Sequence, residues 1–203
     1  ELPQDDPPNL VVSPMPVPTE VFTHPNLEEL KLNGVRGAHD FSNMILAPCL
    51  RSLAMYCDES LMSGRWADRD VALHAWIKRF GSQLKELTIE HMARNKESLK
   101  TVFTSCGGLE KLEVQAVPDI FTRENFRSLI PDPSANPGPT HLLPNLTHFK
   151  AKIECRGWNG DFHLGSVIEF IERRRAGERP IQHVEVTSER WDGKRTEIEQ
   201  VVE

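Results

Sequence analysis

An α/β fold built by repetition, with short parallel strands along one face and helices along the other, is what this sequence predicts. The first observation is a recurring hexad of the form LxxLxL: "LEELKL" from Leu27, "LRSLAM" from Leu50, "LKELTI" from Leu84, "LEKLEV" from Leu109, "LTHFKA" from Leu146 and "IQHVEV" from Ile181. Those starts lie 23, 34, 25, 37 and 35 residues apart, so the units are irregular but share one design. The second observation is apolar spacing of helical period between the hexads. Strand, turn, helix, turn is therefore the unit, and its strand-to-parallel-strand crossovers predict a right-handed winding.

Within each hexad, positions four and six fall on the same side of a short strand and are apolar, while position one anchors the approach to it. No unit can bury that side alone. Stacked neighbours give one continuous apolar column, so each unit depends on the next and the terminal units need a polar cap or another domain. In "HPNL", "APCL" and "LPNL" a proline stands just before the anchor, where no ladder hydrogen bond is yet required of it.

The intervening helices are read in turn. From Ser98 to Cys106 the residues Leu99, Val102, Phe103 and Cys106 stand at i, i+3, i+4 and i+7, with Asn95 as the cap and Gly107 as the stop. Asp70 to Phe80 offers Val71, Leu73, Ala75, Trp76, Ile77 and Phe80. Leu164, Val167, Ile168 and Ile171 repeat the spacing, and Arg173, Arg174 and Arg175 then lie where cations favour a helix C-terminus, ahead of Gly177. Two stretches break the rhythm. Residues 1–18 carry six prolines and read as a linker or as the remnant of a partial first repeat around Leu10 to Val12. "PDPSANPGP", Pro131 to Pro139, reads as a projecting loop after a short helix that ends near Ile130. The domain organisation is thus a proline-rich segment over 1–18 and one repeat domain of about six units over 19–203.

The hexad and its period resemble those of leucine-rich repeats, a resemblance that implies a right-handed solenoid, a partial horseshoe with a short parallel sheet on its concave face and helices on its convex face. "HPNLEELKL", "CGGLEKLEV", "LPNLTHFKA" and the closing "FIERRRAGERPIQHVEVT" further resemble the leucine-rich region of F-box-like proteins of mushroom-forming fungi, over about residues 20 to 190. In that family an N-terminal F-box docks on the adaptor of a cullin-RING ubiquitin ligase, and the repeats select the target. No F-box stands in these residues, and the chain opens at Glu1 rather than at a methionine, which reads as a fragment. What the resemblance implies is the target-recognition half alone.

Composition narrows the partners. A net charge of -6 lacks the basic footprint of a nucleic-acid binder, so DNA and RNA are not expected. The apolar runs fall short of the roughly 20 residues that cross a bilayer, and no signal peptide opens the chain; the expected location is cytoplasmic or nuclear. Cys49, Cys57, Cys106 and Cys155 form no CxxC pair and read as reduced, buried thiols. The triplet Asn145-Leu146-Thr147 matches a glycosylation acceptor by pattern only and is set aside.

No motif for phosphate cradling, zinc-helix ligation or a nucleophile elbow is present, so no catalytic residue, cofactor or metal is expected. The eight histidines are dispersed, with no i, i+4 pair. A zinc shared by Cys49 and Cys57 would need two further ligands, His39 or His74 among them, and buried thiols explain both cysteines more simply. Glu86, Glu90 and Glu113 alternate on neighbouring strands, but nothing nearby supplies the apolar pocket that would separate two carboxyl pKa values into acid and base. A solvated face explains them.

The face opposite the apolar column is the better candidate. Positions three, five and seven of the hexads point there, giving rows Glu29, Lys31, Asn33; Ser52, Ala54, Tyr56; Glu86, Thr88, Glu90; Lys111, Glu113, Gln115; His148, Lys150, Lys152; and His183, Glu185, Thr187. The protein-binding residues expected from these rows are Lys31, Asn33, Ala54, Tyr56, Thr88, Glu90, Glu113, Gln115, Lys150, Lys152 and Glu185. The middle rows are acidic and the fifth is basic, a polarised surface for a charged partner. Tyr56, the one tyrosine of the chain, is the expected anchor. The expected function is a protein-protein interaction scaffold, the substrate-recognition region of an F-box-type ligase subunit, reaching the cullin-RING adaptor through an F-box outside this sequence. Two alternatives stand beside it: a free-standing adaptor with no ligase link, and an enzyme assembled from unrecognised carboxylates.

Overall fold

Six strands run parallel and follow one another across a sheet in the order in which the chain makes them: β2 (Glu29–Asn33), β4 (Ser52–Tyr56), β5 (Glu86–Glu90), β6 (Lys111–Ala116), β7 (His148–Cys155) and β8 (His183–Arg190). These come from a computed structural model that describes residues 21–34, 38–57, 66–92, 96–116, 143–155, 169, 170, 172, 180–190 and 195–201. The result is a mixed α/β structure with an open sheet. The expected proline-rich segment over 1–18, the cap at Asn95, the loop Pro131 to Pro139 with its preceding helix, the helical positions Leu164, Val167, Ile168 and Ile171, and the arginines 173–175 lie outside the described residues.

Every one of the six hexads forms a strand, and the register is the one its alignment requires. Leu30, Leu53, Leu87, Leu112, Phe149 and Val184 are successive partners across the sheet, and so are Leu32, Met55, Ile89, Val114, Ala151 and Val186. All are buried except Leu30 and Leu32 of the edge strand, which are partly buried. The anchors Leu50, Leu84, Leu109, Leu146 and Ile181 are buried beside them, with Leu27 partly so. Three apolar columns therefore run through the structure, and the area they remove from water is its main source of stability.

The approach to each strand repeats as faithfully as the strand. The anchor N–H donates to the carbonyl three residues back at Leu27, Leu50, Leu84, Leu109 and Leu146, over 2.9–3.3 Å. Next, the N–H groups of hexad positions two and three both donate to the position-two carbonyl of the preceding unit. Arg51 and Ser52 reach Glu28 O, Lys85 and Glu86 reach Arg51 O, Glu110 and Lys111 reach Lys85 O, Thr147 and His148 reach Glu110 O, and Gln182 and His183 reach Thr147 O, all within 2.7–3.1 Å. Backbone groups that would otherwise be buried unpaired are thereby satisfied at the same place in each unit. Side chains add to these turns: Gln83 Nε2 donates to Ala47 O and Asn145 Nδ2 to Gly107 O, so the amide of the glycosylation-like triplet is engaged in structure.

Helices α1 (Ala38–Met44), α2 (Trp66–Phe80) and α3 (Lys96–Ser105) pack in sequence against the apolar side of the sheet. From α2, Leu73, Trp76, Ile77 and Phe80 enter the core; Trp76 lies against Phe41 and Phe80 and donates its indole N–H to Ala38 O at 2.8 Å. Leu99, Val102 and Phe103 of α3 are buried as their spacing predicts, and Cys106 follows just after the helix. Val71 departs from expectation, being 51% exposed. The buried stripe of α2 runs through residues 69, 72, 73, 76, 77 and 80, and at about 100° of turn per residue Val71 falls on the opposite side of the helix. Gly81 begins a 3-10 turn where α2 comes close to the end of α3: a Cβ there would meet Cys106 Sγ and Ser105 O, each at 3.1 Å.

Three further elements have no counterpart in the hexads. β1 (Phe22–Thr23) and β3 (Ile45–Leu46) form a small parallel sheet of their own. β9 (Arg195–Val201) pairs antiparallel with β8, with Val201 opposite His183 and Arg195 opposite Glu189. It stands beyond β8 at the opposite side of the sheet from β2. Phe170, also helical, packs edge-on against Phe149 at 5.8 Å.

Candidate functional site

The wet face of the sheet has the rows that the hexad alignment assigns. Strand-to-strand partners run Glu29, Ser52, Glu86, Lys111, His148, His183; then Lys31, Ala54, Thr88, Glu113, Lys150, Glu185; then Asn33, Tyr56, Glu90, Gln115, Lys152, Thr187. Lys31, Asn33 and Glu113 are exposed, while Tyr56, Thr88, Glu90, Gln115, Lys150, Lys152 and Glu185 are partly so. Two positions correct the expectation. Ala54 is only 6% exposed, because its single methyl lies between the longer Lys31 and Thr88 on the neighbouring strands and is overtopped by them. Thr187 is likewise buried, on a strand paired on both sides, by β7 and β9. Ala54 therefore cannot be a primary contact, although it can form the floor of one.

The charges on this face are also not separated into blocks. Lys111 Nζ donates to Glu86 Oε1 at 2.6 Å, Lys150 lies 3.1 Å from Glu185 and 3.8 Å from Glu113, and Lys31 lies 2.9 Å from Glu29. Lys150 of the basic fifth row thus stands between two acidic neighbours. Consistent with this pairing, the hydrogen bond to Glu86 raises the Lys111 pKa and that to Glu29 raises the Lys31 pKa. Just outside the rows, the bond from Lys85 lowers the pKa of the Glu110 carboxyl. All are exposed pairs whose net contribution to stability is small.

At the C-terminal end of β5 the structure contains a feature that periodicity does not reveal. His91 has φ +54°, a left-handed conformation that His adopts more readily than most side chains. Its N–H donates to Gln115 O, its ring Nε2 lies 3.2 Å from Gln115 Nε2, and its carbonyl accepts from Arg69 Nη1 at 2.8 Å. Arg69 is buried on α2. Sequence reasoning missed it because a charged residue inside an apolar stripe breaks the pattern by which such stripes are found. Beside it Ser98 Oγ donates to Asp70 Oδ1, tying α2 to α3.

The candidate chemistry weighed from sequence is dispersed. Glu86 and Glu113 are bound to different lysines, and Glu90 is 3.9 Å from His91. Cys57 and Cys106 are buried and Cys49 partly buried; burial pushes the Cys106 thiol up to about 12. Among the described residues no group of three or more His, Cys, Asp or Glu is placed to hold a metal ion, and no helix is long and apolar enough to cross a membrane. No family model, curated protein or solved structure matches the chain.

Proposed function

We propose that the chain is a leucine-rich-repeat solenoid, a right-handed partial horseshoe, whose concave sheet face binds a protein ligand, and that it is the target-selecting region of an F-box-type ubiquitin ligase subunit. The observation that carries the recognition half is the repeated register. Six strands, five of them entered through the same paired N–H bonds to the unit before, set equivalent side chains in three rows on one face. Extended rows of this kind on repeat scaffolds are used to grip macromolecules rather than to enclose small substrates. Tyr56 is the large amphipathic side chain on the face and serves as the anchor; Lys150, between Glu113 and Glu185, is the charge at its centre. The ligase half rests on the resemblance of the strand and closing-helix sequences to fungal F-box-like proteins, and it places the protein in the cytoplasm or nucleus.

The test is affinity capture with the purified chain, wild type against Tyr56→Ala/Lys150→Ala, read by mass spectrometry. Proteins retained by the wild type and lost by the variant, with unchanged melting, are the expected result; capture undiminished by the double substitution overturns the concave-face reading. The ligase half is tested separately, by whether an F-box helix bundle is encoded upstream of Glu1 and binds the adaptor.

A further inference from the structure

His148 and His183 are 35 residues apart in the chain but are register partners on β7 and β8. Both are partly exposed, on the wet face, and their ring centres are 5.9 Å apart with the planes 31° from parallel. We propose that the two imidazoles form a binding site for a divalent transition-metal ion of the zinc, nickel and copper class, an open site with two protein nitrogens. It is independent of the protein-ligand reading above.

The ring separation is close to what chelation requires. A metal–nitrogen bond of about 2.0 Å puts each ring centre about 3.2 Å from the metal, so two imidazoles at a tetrahedral angle have centres about 5.2 Å apart. The observed separation is within about 0.7 Å of that, a difference that small side-chain rotations on adjacent strands absorb. Parallel pairing holds both backbones in place, so little ordering is left for the metal to impose.

The surroundings favour one nitrogen on His148. Thr147 Oγ1 lies 2.9 Å from His148 Nδ1 and 3.1 Å from Glu110 O. With the ion on Nε2, the Nδ1–H donates to Thr147 Oγ1, whose own hydroxyl donates to the Glu110 carbonyl. An oriented second hydrogen bond of this kind fixes the tautomer and raises ligand basicity. The flanking register positions do not compete. Lys111, beside His148, is committed to Glu86 at 2.6 Å, and Val201, beside His183, is aliphatic. The remaining coordination positions face solvent, open to water or to a carboxylate or imidazole from a bound protein.

Calorimetric titration of the full chain with ZnCl2 and with NiCl2 tests the site. One ion per chain is expected, with affinity reduced at least tenfold in His148→Ala and again in His183→Ala, each melting as the wild type does without metal. Thr147→Val, which keeps both ligands and removes the hydroxyl, should weaken binding by about 10- to 100-fold if Thr147 orients the ring. His24→Ala and His39→Ala, at exposed histidines away from the pair, should bind as the wild type. Absence of stoichiometric binding to the wild type, or binding that survives the double His148→Ala/His183→Ala substitution, overturns the proposal. Equal affinity in the two single variants and the wild type overturns it as well, since that would show two independent surface histidines.

Discussion

Replacing Leu87 by alanine should cost much more stability than the same replacement at Leu30, although both occupy hexad position four. Leu87 on β5 is flanked by Leu53 of β4 and Leu112 of β6, and each of the three is 1% exposed. The strands on either side are fixed by backbone hydrogen bonds, so the space left by three lost carbons cannot close, and a cost of about 3–5 kcal/mol is expected. Among the described residues Leu30 has one such neighbour, Leu53, and is itself only partly buried. Its truncation opens to solvent rather than leaving a void, so the loss is mainly the transfer energy of partly buried methyls, about 1–2 kcal/mol. In a chain of this length each kcal/mol lowers Tm by about 2–4 °C, so the expected shifts are about 6–20 °C for Leu87→Ala and about 2–8 °C for Leu30→Ala. Urea unfolding followed by far-ultraviolet circular dichroism gives the free energies directly, with unchanged m-values showing that the denatured state is the same. Equal losses in the two variants, or a larger loss at Leu30, would refute a column whose stability depends on having neighbours on both sides.

Two other stability predictions follow from close contacts in the same region, beside the capture experiment on Tyr56 and Lys150 and the metal titration. Gly81→Ala should destabilise by about 1–3 kcal/mol, because its Cβ would lie 3.1 Å from a backbone oxygen that cannot swing aside; Gly107→Ala, with nothing within 4 Å, is the control, and thermal melting compares them. Cys106, pushed up to about 12 from 9.0 by burial, keeps its proton in the native state at pH values where the unfolded chain has released it. Its contribution is therefore fully present below about pH 9 and is lost as the pH rises toward 12. The stability difference between wild type and Cys106→Ala, measured by urea titration at pH 8, 10 and 11, should shrink across that range; a difference that stays constant would show that the thiol is not desolvated.

What the sequence made legible and what it did not divide along a physical line. Strand positions and register could be read because alternation on a sheet buried on one side is strict, and one slipped residue would turn Leu87 and Ile89 out to water. Leu99, Val102 and Phe103 were legible for the same reason at helical period. β9 was not, since "RTEIEQV" has no hexad and its pairing with β8 is antiparallel, outside the repeat. Ala54 was misjudged because an alignment gives direction, and exposure depends also on the length of the neighbouring side chains. Arg69 escaped because burial of a guanidinium is set by hydrogen bonds such as that to the His91 carbonyl, and no pattern in hydropathy encodes those. The His148–His183 pair lay in plain view in the fifth and sixth rows, yet a search for ligands by local spacing cannot see residues 35 positions apart; only the pairing of β7 with β8 joins them.

The charge pairing on the wet face constrains how a ligand can be recognised there. Five carboxylates and four ammonium groups, from Glu29 to Glu185, share the three rows between β2 and β8, and Lys31, Lys111 and Lys150 are already matched to acidic partners on the same face. Such a surface projects little field beyond a Debye length, so it does not attract a charged protein from a distance. Recognition has to act at contact. A ligand that displaces Glu113 or Glu185 from Lys150 replaces one exposed ion pair by another at small net cost, and gains only if its own carboxylate is placed by shape. The aromatic ring of Tyr56, two residues along the same strand from the small Ala54, supplies apolar contact that charge matching cannot. Selectivity on this face thus follows from the fixed spacing of rows on a sheet that does not need to rearrange, and the register that buries one side of the hexads is the same register that sets that spacing on the other.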